Sequence, residues 1–405
     1  MGVKLSGEKV LSNSLDELSE LTRTAGGVVC ERIVQNVRRI EPSTYIGKGK
    51  ALELKELGKK HKVDLVIFDN DLSPTQIRNL EEIIELRVID RTELILDIFA
   101  HHAHTKEAKL QVELAQLNYL LPRLRGKGIL LSRLGGGIGT RGPGETKLEI
   151  DRRRIEKRIV SLKKSIKKVA RVRTQQRKKR RNEVVASIIG YTNAGKSTLM
   201  KALTGEEVFI EDRLFSTLDP LTRRLTLPNN QCLLLIDTVG FIKNLPHHLI
   251  TSFSATLEEV RSSDILLHVV DISSEKVYEE IDSVYEVLDG LKANTKYMIT
   301  ILNKIDKLRN KAIINRLIKK FPNSCALSCK TSEGLDKLIH ILLNLPIFKR
   351  ESLRIKIPFQ KIGLRAFLFR NGWIKNEEYI DNNVVMDVEL PFKIASKLKR
   401  WQICK

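Results

Sequence analysis

Over the first hundred residues, short apolar runs of strand length alternate with stretches whose apolar positions recur at helical spacing. Residues 28–34, 63–69 and 86–90 read as strands, and 50–61 and 74–85 as helices. Ser73-Pro74 supplies an N-cap and a first-turn proline for the second helix. This alternation predicts a small α/β domain with a parallel sheet over residues 1–104. The rhythm then changes. Leu110, Leu114, Leu117 and Leu121 form one seam of the 3.5-residue kind, and Ile155, Ile159, Leu162, Ile166 and Val169 form another. Residues 105–182 are therefore expected to fold as an antiparallel helical hairpin, a coiled-coil arm. From 183 to 349, buried-strand runs at 184–189, 232–236, 297–302 and 324–327 each lead into a polar loop. Residues 350–405 read strand, helix, strand, strand, helix (353–357, 361–369, 373–380, 384–390, 391–401), which suits a small α+β domain. The fold class is α/β and multidomain.

The loops after those strands carry the chemistry. Gly190, Tyr191, Thr192, Asn193, Ala194, Gly195, Lys196 and Ser197 make a Gly-x4-Gly-Lys-Ser phosphate loop, in which backbone amides and a helix N-terminus point at a β-phosphate. Lys196 is placed to bridge β- and γ-phosphates, and the Ser197 hydroxyl to ligate Mg²⁺. Asp237, Thr238, Val239 and Gly240 follow the second strand. Asp237 can reach Mg²⁺ through water, and the Gly240 amide can sense a γ-phosphate. Asn303, Lys304, Ile305 and Asp306 follow the third and read the base. A carboxylate at 306 accepts from the two donors of guanine and would be left unpaired by adenine, so GTP is the expected substrate. Ser328, Cys329 and Lys330 fit the last base-contacting loop, with a backbone amide directed at the guanine oxygen. Between the first two loops lie Phe215, Ser216, Thr217, Leu218 and Asp219, a switch segment expected to contact GTP. Thr217 is the candidate switch threonine, a second Mg²⁺ ligand. Lys196, Thr217 and Gly240 are the expected catalytic groups. Phe241 stands where many GTPases place the glutamine that orients water, so slow intrinsic hydrolysis is expected.

Charge extends this picture beyond the nucleotide. The 405 residues carry a formal net charge of +22 at pH 7, more than nucleotide binding requires, which implies a polyanionic partner such as RNA or an anionic membrane surface. Cations crowd the second arm helix, with Arg152, Arg153, Lys163 and Lys167 among them, and acids are scarce enough that pairing along the helix is not expected to be their purpose. The loop 122–144 adds Arg133, Gly135, Gly136, Gly137 and Arg141, which could lay bare backbone against RNA; a plain linker is the alternative. Gly47-Lys48-Gly49-Lys50 is read as a Gly-rich turn ahead of an anion nest, and His101, His102 and His104 lack the carboxylate or cysteine that would complete a metal site. His247 and His248 are read as surface or packing residues. Cys30, Cys232, Cys325, Cys329 and Cys404 show no CxxC spacing, which argues for a reducing compartment. With no spanning segment or cleavable leader apparent, a cytoplasmic monomer is expected, peripheral membrane association remaining open.

The stretches VIDRTELILDIFAHHAHTKEAKLQVELAQL (88–117), GGGIGTRGPGETKLE (135–149), GYTNAGKSTL, LFSTLDPLTRR (214–224) and DTVGFIKNLPHHL (237–249) resemble the HflX family of bacterial ribosome-associated GTPases. The resemblance runs nearly end to end, with Ser216 and Cys329 standing where the family often has alanine. It implies binding to the large (50S) ribosomal subunit and its rRNA, with the arm and Gly-rich loop reaching towards the peptidyl transferase centre. It further implies dissociation of stalled or idle ribosomes into subunits. A large-subunit assembly factor, or a signalling GTPase whose basic arm binds a membrane or a protein, are the alternative readings.

Overall fold

The computed structural model describes residues 1–5, 12–124, 143–179, 183–206, 214–215, 218–228, 231–243, 254–293, 296–308, 312–348, 350–380 and 383–403. Its first elements are β1 (Gly2–Leu5), α1 (Ser12–Thr24), β2 (Val34–Val37), α2 (Lys48–His61), β3 (Leu65–Phe68), α3 (Pro74–Ile84), β4 (Arg87–Asp90) and α4 (Arg91–His102). β1 pairs in parallel with β2, and β3 with β4. The Met1 ammonium donates to the Ile67 carbonyl at 2.8 Å and the Asp69 amide to the Met1 carbonyl at 2.9 Å, which ties the two pairs together. The strand expected at 28–34 is corrected: pairing begins only at Val34, and Val28 is 86% exposed, because among the described residues no strand pairs with the stretch before it. At Ser73 the expected cap is a full capping box with Gln76.

Helix α4 and the helix after it, α5 (Lys106–Arg123), start on side-chain caps, Asp90 to the Glu93 amide and Thr105 to the Ala108 amide. Asp90 is fully buried and also accepts from the Tyr119 hydroxyl at 2.8 Å and from Arg123 at 3.0 Å. Arg123 stacks 3.3 Å over the Tyr119 ring, so the far end of α5 is anchored on the edge of β4. The second arm helix, α6 (Pro143–Lys179), packs on α5 through Leu114, Ile159 and Leu162, with Leu110, Leu117, Leu121, Ile155 and Ile166 against them. Arg158 forks onto Glu113 across that seam at 2.6 and 2.8 Å.

Next come β5 (Val184–Gly190), α7 (Lys196–Thr204), β6 (Leu221–Thr226), β7 (Cys232–Asp237), α8 (Ser254–Ser262), β8 (Ile265–Asp271), α9 (Val277–Gly290), β9 (Tyr297–Asn303), α10 (Ala312–Lys320), β10 (Ser324–Ala326) and α11 (Leu335–Leu343). The strands form one six-stranded sheet in the order β10-β9-β8-β5-β7-β6, parallel except for β6 against β7. Ile188, Leu235, Leu267, Val269, Ile299 and Ile301 are sealed between sheet and helices, which is why these strands read as unbroken apolar runs. All four expected nucleotide loops leave the carboxyl ends of parallel strands, where open α/β sheets bind ligands. The chain closes with β11 (Arg350–Pro358), α12 (Ile362–Asn371), β12 (Trp373–Ile380), β13 (Asn383–Pro391) and α13 (Phe392–Leu398), an antiparallel sheet ordered β11-β13-β12 around Ile355, Met386, Leu390 and Leu368. Within residues 350–403 the element order matches the sequence reading, with ends shifted by a few residues.

Candidate functional site

Gly195 starts α7 with φ +97, and a Cβ there would lie 2.3 Å from Asn303 Nδ2, so only glycine admits both the turn and the close approach of the base-reading loop. Lys196 folds back under the loop. Its ammonium donates to the Tyr191 carbonyl at 2.8 Å and to the Gly190 carbonyl at 3.3 Å. Burial pulls it down to about 8, against the attraction of Asp237 and with the repulsion of Lys304 added. A lysine held this way presents its charge in a site of low dielectric, where a phosphate oxygen interacts with it strongly.

The Ser197 hydroxyl donates to Asp237 Oδ2 at 2.7 Å, and both residues are buried. An oxygen pair of this kind, one hydroxyl and one carboxylate, fits a hard cation such as Mg²⁺. Gly240 closes on the same lysine. A Cβ there would meet Thr192 Cγ2 at 2.8 Å and Lys196 Nζ at 2.9 Å. Phe241 is held by its backbone, donating to the Gly190 carbonyl at 3.1 Å and accepting from the Thr192 amide at 2.8 Å. The residue is 1% exposed and packs in the core with Ile189, Leu257, Val260 and Leu266.

On the base side, Asn303 donates to the Ala194 carbonyl at 2.9 Å and Lys304 to the Asn193 carbonyl at 2.8 Å, so this loop braces the phosphate loop. Lys304 is also paired with Asp271 at 2.7 Å. Asp271 was not expected from sequence; its only signal is a carboxylate at the end of an apolar strand. The Ser328 hydroxyl donates to Asp306 Oδ1 at 2.6 Å and accepts from the Thr331 amide, which orients the carboxylate. The Cys329 amide donates to Asn303 Oδ1 at 3.1 Å. Cys325 and Cys329 lie in β10 and the loop after it, and burial pushes both thiols up to about 12.

The expectation that Phe215, Leu218 and Asp219 turn to the nucleotide is corrected. Phe215 and Leu218 are buried in a cluster with Leu15, Leu18, Phe99 and Val112, and Phe215 meets Phe99 edge-on with centroids 4.7 Å apart. Asp219 accepts from the His104 and Thr105 amides at 3.1 and 3.0 Å, and from the Thr105 hydroxyl, at the first turn of α5. Burial in that apolar cluster and the unsatisfied amides before α5 outcompete solvent around the phosphates. Ser216, Thr217, Arg133, Gly135, Gly136, Gly137, Arg141, His247 and His248 lie outside the described residues. A second correction concerns the arm. Arg152 pairs with Glu156 at 2.9 Å, Arg153 with Glu149 at 2.8 Å and Arg154 with Asp151 at 3.6 Å, because the few acids present stand one helical turn away. His101 and His102 bond through Nδ1 to the carbonyls of Asp97 and Ile98.

Phosphate loop, aspartate-to-glycine loop and guanine-reading loop, ordered on one mostly parallel sheet, define a P-loop GTPase. The matching family models are described as GTP-binding GTPase N-terminal (residues 12–100), GTP-binding GTPase middle region (102–180) and 50S ribosome-binding GTPase (185–304). The GTPase HflX of Lacrimispora saccharolytica is 45% identical over 400 residues, covering 98% of this chain and 94% of the relative. That of Caldanaerobacter subterraneus subsp. tengcongensis is 44% identical over 392 residues, covering 96% and 90%. The chain belongs to the HflX family of ribosome-associated GTPases, and it hydrolyses GTP. Among solved structures, a GTP-binding protein from Sulfolobus solfataricus in complex with GDP is 24% identical with a TM-score of 0.46, covering 84% of this chain and 97% of that one. Among the described residues, no helix is long and apolar enough to cross a membrane.

Proposed function

We propose that this GTPase binds the large ribosomal subunit and its rRNA through the α5–α6 arm and, in its GTP form, dissociates stalled or idle ribosomes into subunits. Hydrolysis to GDP and phosphate then permits release. In this reading the chain works as four units: 1–104, the arm 105–182, the GTPase unit 183–349 and the C-terminal unit 350–405. The observation that carries the reading is on α6. Lys157, Lys163, Lys164, Lys167, Lys168 and Arg171 are exposed, and none meets a carboxylate among the described residues, unlike the arginines of the preceding turns. Like charges one turn apart repel, and that repulsion is relieved when phosphates replace small counterions.

Ser197, with Thr217 from the switch segment and Asp237 through water, would hold Mg²⁺ at the nucleotide. When bound, the ion supplies charge neutralisation at the β- and γ-phosphates. Lys196 and the Gly240 amide bind and orient the γ-phosphate. With the Phe241 ring in the core, no side chain at that position orients water, so turnover in isolation is slow and the large subunit completes the site. Hydrolysis that is equally fast with and without ribosomes would contradict this coupling.

A sucrose gradient of intact ribosomes, the protein and a nonhydrolysable GTP analogue tests the function directly. Subunits should replace intact particles; persistence of intact particles carrying the protein would overturn splitting but keep binding. Lys163→Glu combined with Lys167→Glu should weaken ribosome co-sedimentation and flatten its dependence on log salt by about one unit per lysine. Ribosome-free hydrolysis should not change.

A further inference from the structure

The backbone of Lys243, three residues beyond Gly240, is held on both sides of its Cα by side chains foreign to its loop. Its N–H donates to the Tyr191 hydroxyl at 2.9 Å, and its carbonyl accepts from Arg91 Nη2 at 3.4 Å. One carboxylate joins the two holders. Glu17, on α1, accepts from both the Tyr191 hydroxyl and Arg91 Nη2, and Arg91 Nη1 donates to Asp69 at 2.8 Å. Arg91 is 2% exposed. Burial raises the Tyr191 phenol further above its ordinary value, with the Glu17 charge adding to it, so the hydroxyl keeps its proton and can donate and accept at once.

Joining these helices does not by itself call for such a cluster. A guanidinium taken out of water costs several kcal/mol, by order of magnitude, before its carboxylates offset it, and apolar side chains of similar size often hold an interface as well. What the cluster adds is direction: it fixes the backbone on either side of the Lys243 Cα. Gly240 lies against Lys196, and the ring of Phe241 is in the core, so among the described residues of this loop it is backbone that can address a γ-phosphate. Rate is sensitive to backbone placement there, where about 1 Å of displacement can cost a hundredfold.

We propose that Glu17 and Arg91, acting through the Tyr191 hydroxyl and the Lys243 backbone, are positioning residues for GTP hydrolysis. They set the Gly240 amide against Lys196 from outside the GTPase unit. The inference rests on GTP hydrolysis and is independent of what the arm binds.

The test uses the full chain without ribosomes, comparing steady-state GTP turnover with GDP affinity. Tyr191→Phe and Glu17→Ala should each lower kcat about tenfold while KM and GDP affinity change less than about twofold. Their combination should fall no further than the lower single variant, as expected for one shared path. Glu17→Gln, which keeps an oxygen for both donors, should recover part of the loss. Amide exchange at Lys243 in the GDP-bound chain should accelerate in Tyr191→Phe, a readout that needs no turnover. Unchanged or raised kcat would overturn the proposal. So would a loss of GDP affinity parallel to the loss of kcat, since that would make the cluster a prop for the phosphate loop alone.

Discussion

Lys196→Ala is expected to lower kcat/KM for GTP by at least about a thousandfold, which is roughly 4 kcal/mol of transition-state stabilisation. Lys196 is 7% exposed and its ammonium is already aimed by the Gly190 and Tyr191 carbonyls, so its charge costs no reorganisation when phosphate oxygens develop negative charge. The fold should survive, because the substitution removes a buried charge. The same burial gives a pH signature. With the ammonium pulled down to about 8 in the free protein, it loses its proton above that pH, and binding a polyphosphate must restore it. Affinity for GTP and GDP should therefore fall as pH rises above about 8, by up to about tenfold per unit, and Lys196→Ala should lose that dependence. Stability of the free chain should move the other way. A lysine whose folded value lies below its unfolded one costs stability at lower pH, and that cost is relieved as pH rises from about 8 towards about 10.4. Calorimetric titration across that range and thermal melts of the free chain check both signs. A flat affinity profile for the unsubstituted chain would contradict the assignment.

Asp306→Asn should exchange the base rather than destroy the site. The Ser328 hydroxyl holds Asp306 Oδ1 at 2.6 Å, which leaves the other oxygen for the base edge. Asparagine in the same pose presents an amide NH₂ where guanine presents its own amino group, so two donors face each other and a buried pair goes unsatisfied. Discrimination by such hydrogen-bonding sites reaches about 10⁴, and GTP affinity should fall by at least about a hundredfold. Xanthine carries an oxygen at that carbon, so xanthosine triphosphate should bind and turn over in the variant with a kcat close to that of the unsubstituted chain on GTP. Competition between the two nucleotides for the variant is the measurement. Retention of GTP affinity would show that 306 does not read the base.

The site is written in short segments. The phosphate loop, the 237–240 loop and the 303–306 loop each follow an apolar strand, and each needs particular residues within a few positions, glycine at 195 above all. The bracing of Ala194 by Asn303 follows once the two strands share a sheet, and the strand runs themselves announce that sheet. The arm seam of Leu114, Ile159 and Leu162 was legible for the same reason, since its spacing is local even though its contacts are not. Legibility failed where a residue's role depended on a distant partner. Arg152 and Arg153 looked like bare cations by composition, yet each has an acid one turn away, so pairing was decided by spacing rather than by abundance.

By itself, then, the sequence determined a guanine-reading P-loop GTPase, an apolar helical seam and an excess of positive charge on the arm, because each is set by local spacing along one element. Only the tertiary structure decided that Phe215 and Leu218 belong to the apolar cluster under α4 and α5, and that Asp219 ties down the start of the arm. The same holds for Glu17, Arg91 and Tyr191, joined across 74 and 174 positions of chain. Residues so far apart leave no periodic signature, and their partnership exists only where burial removes water and makes each polar group find the other.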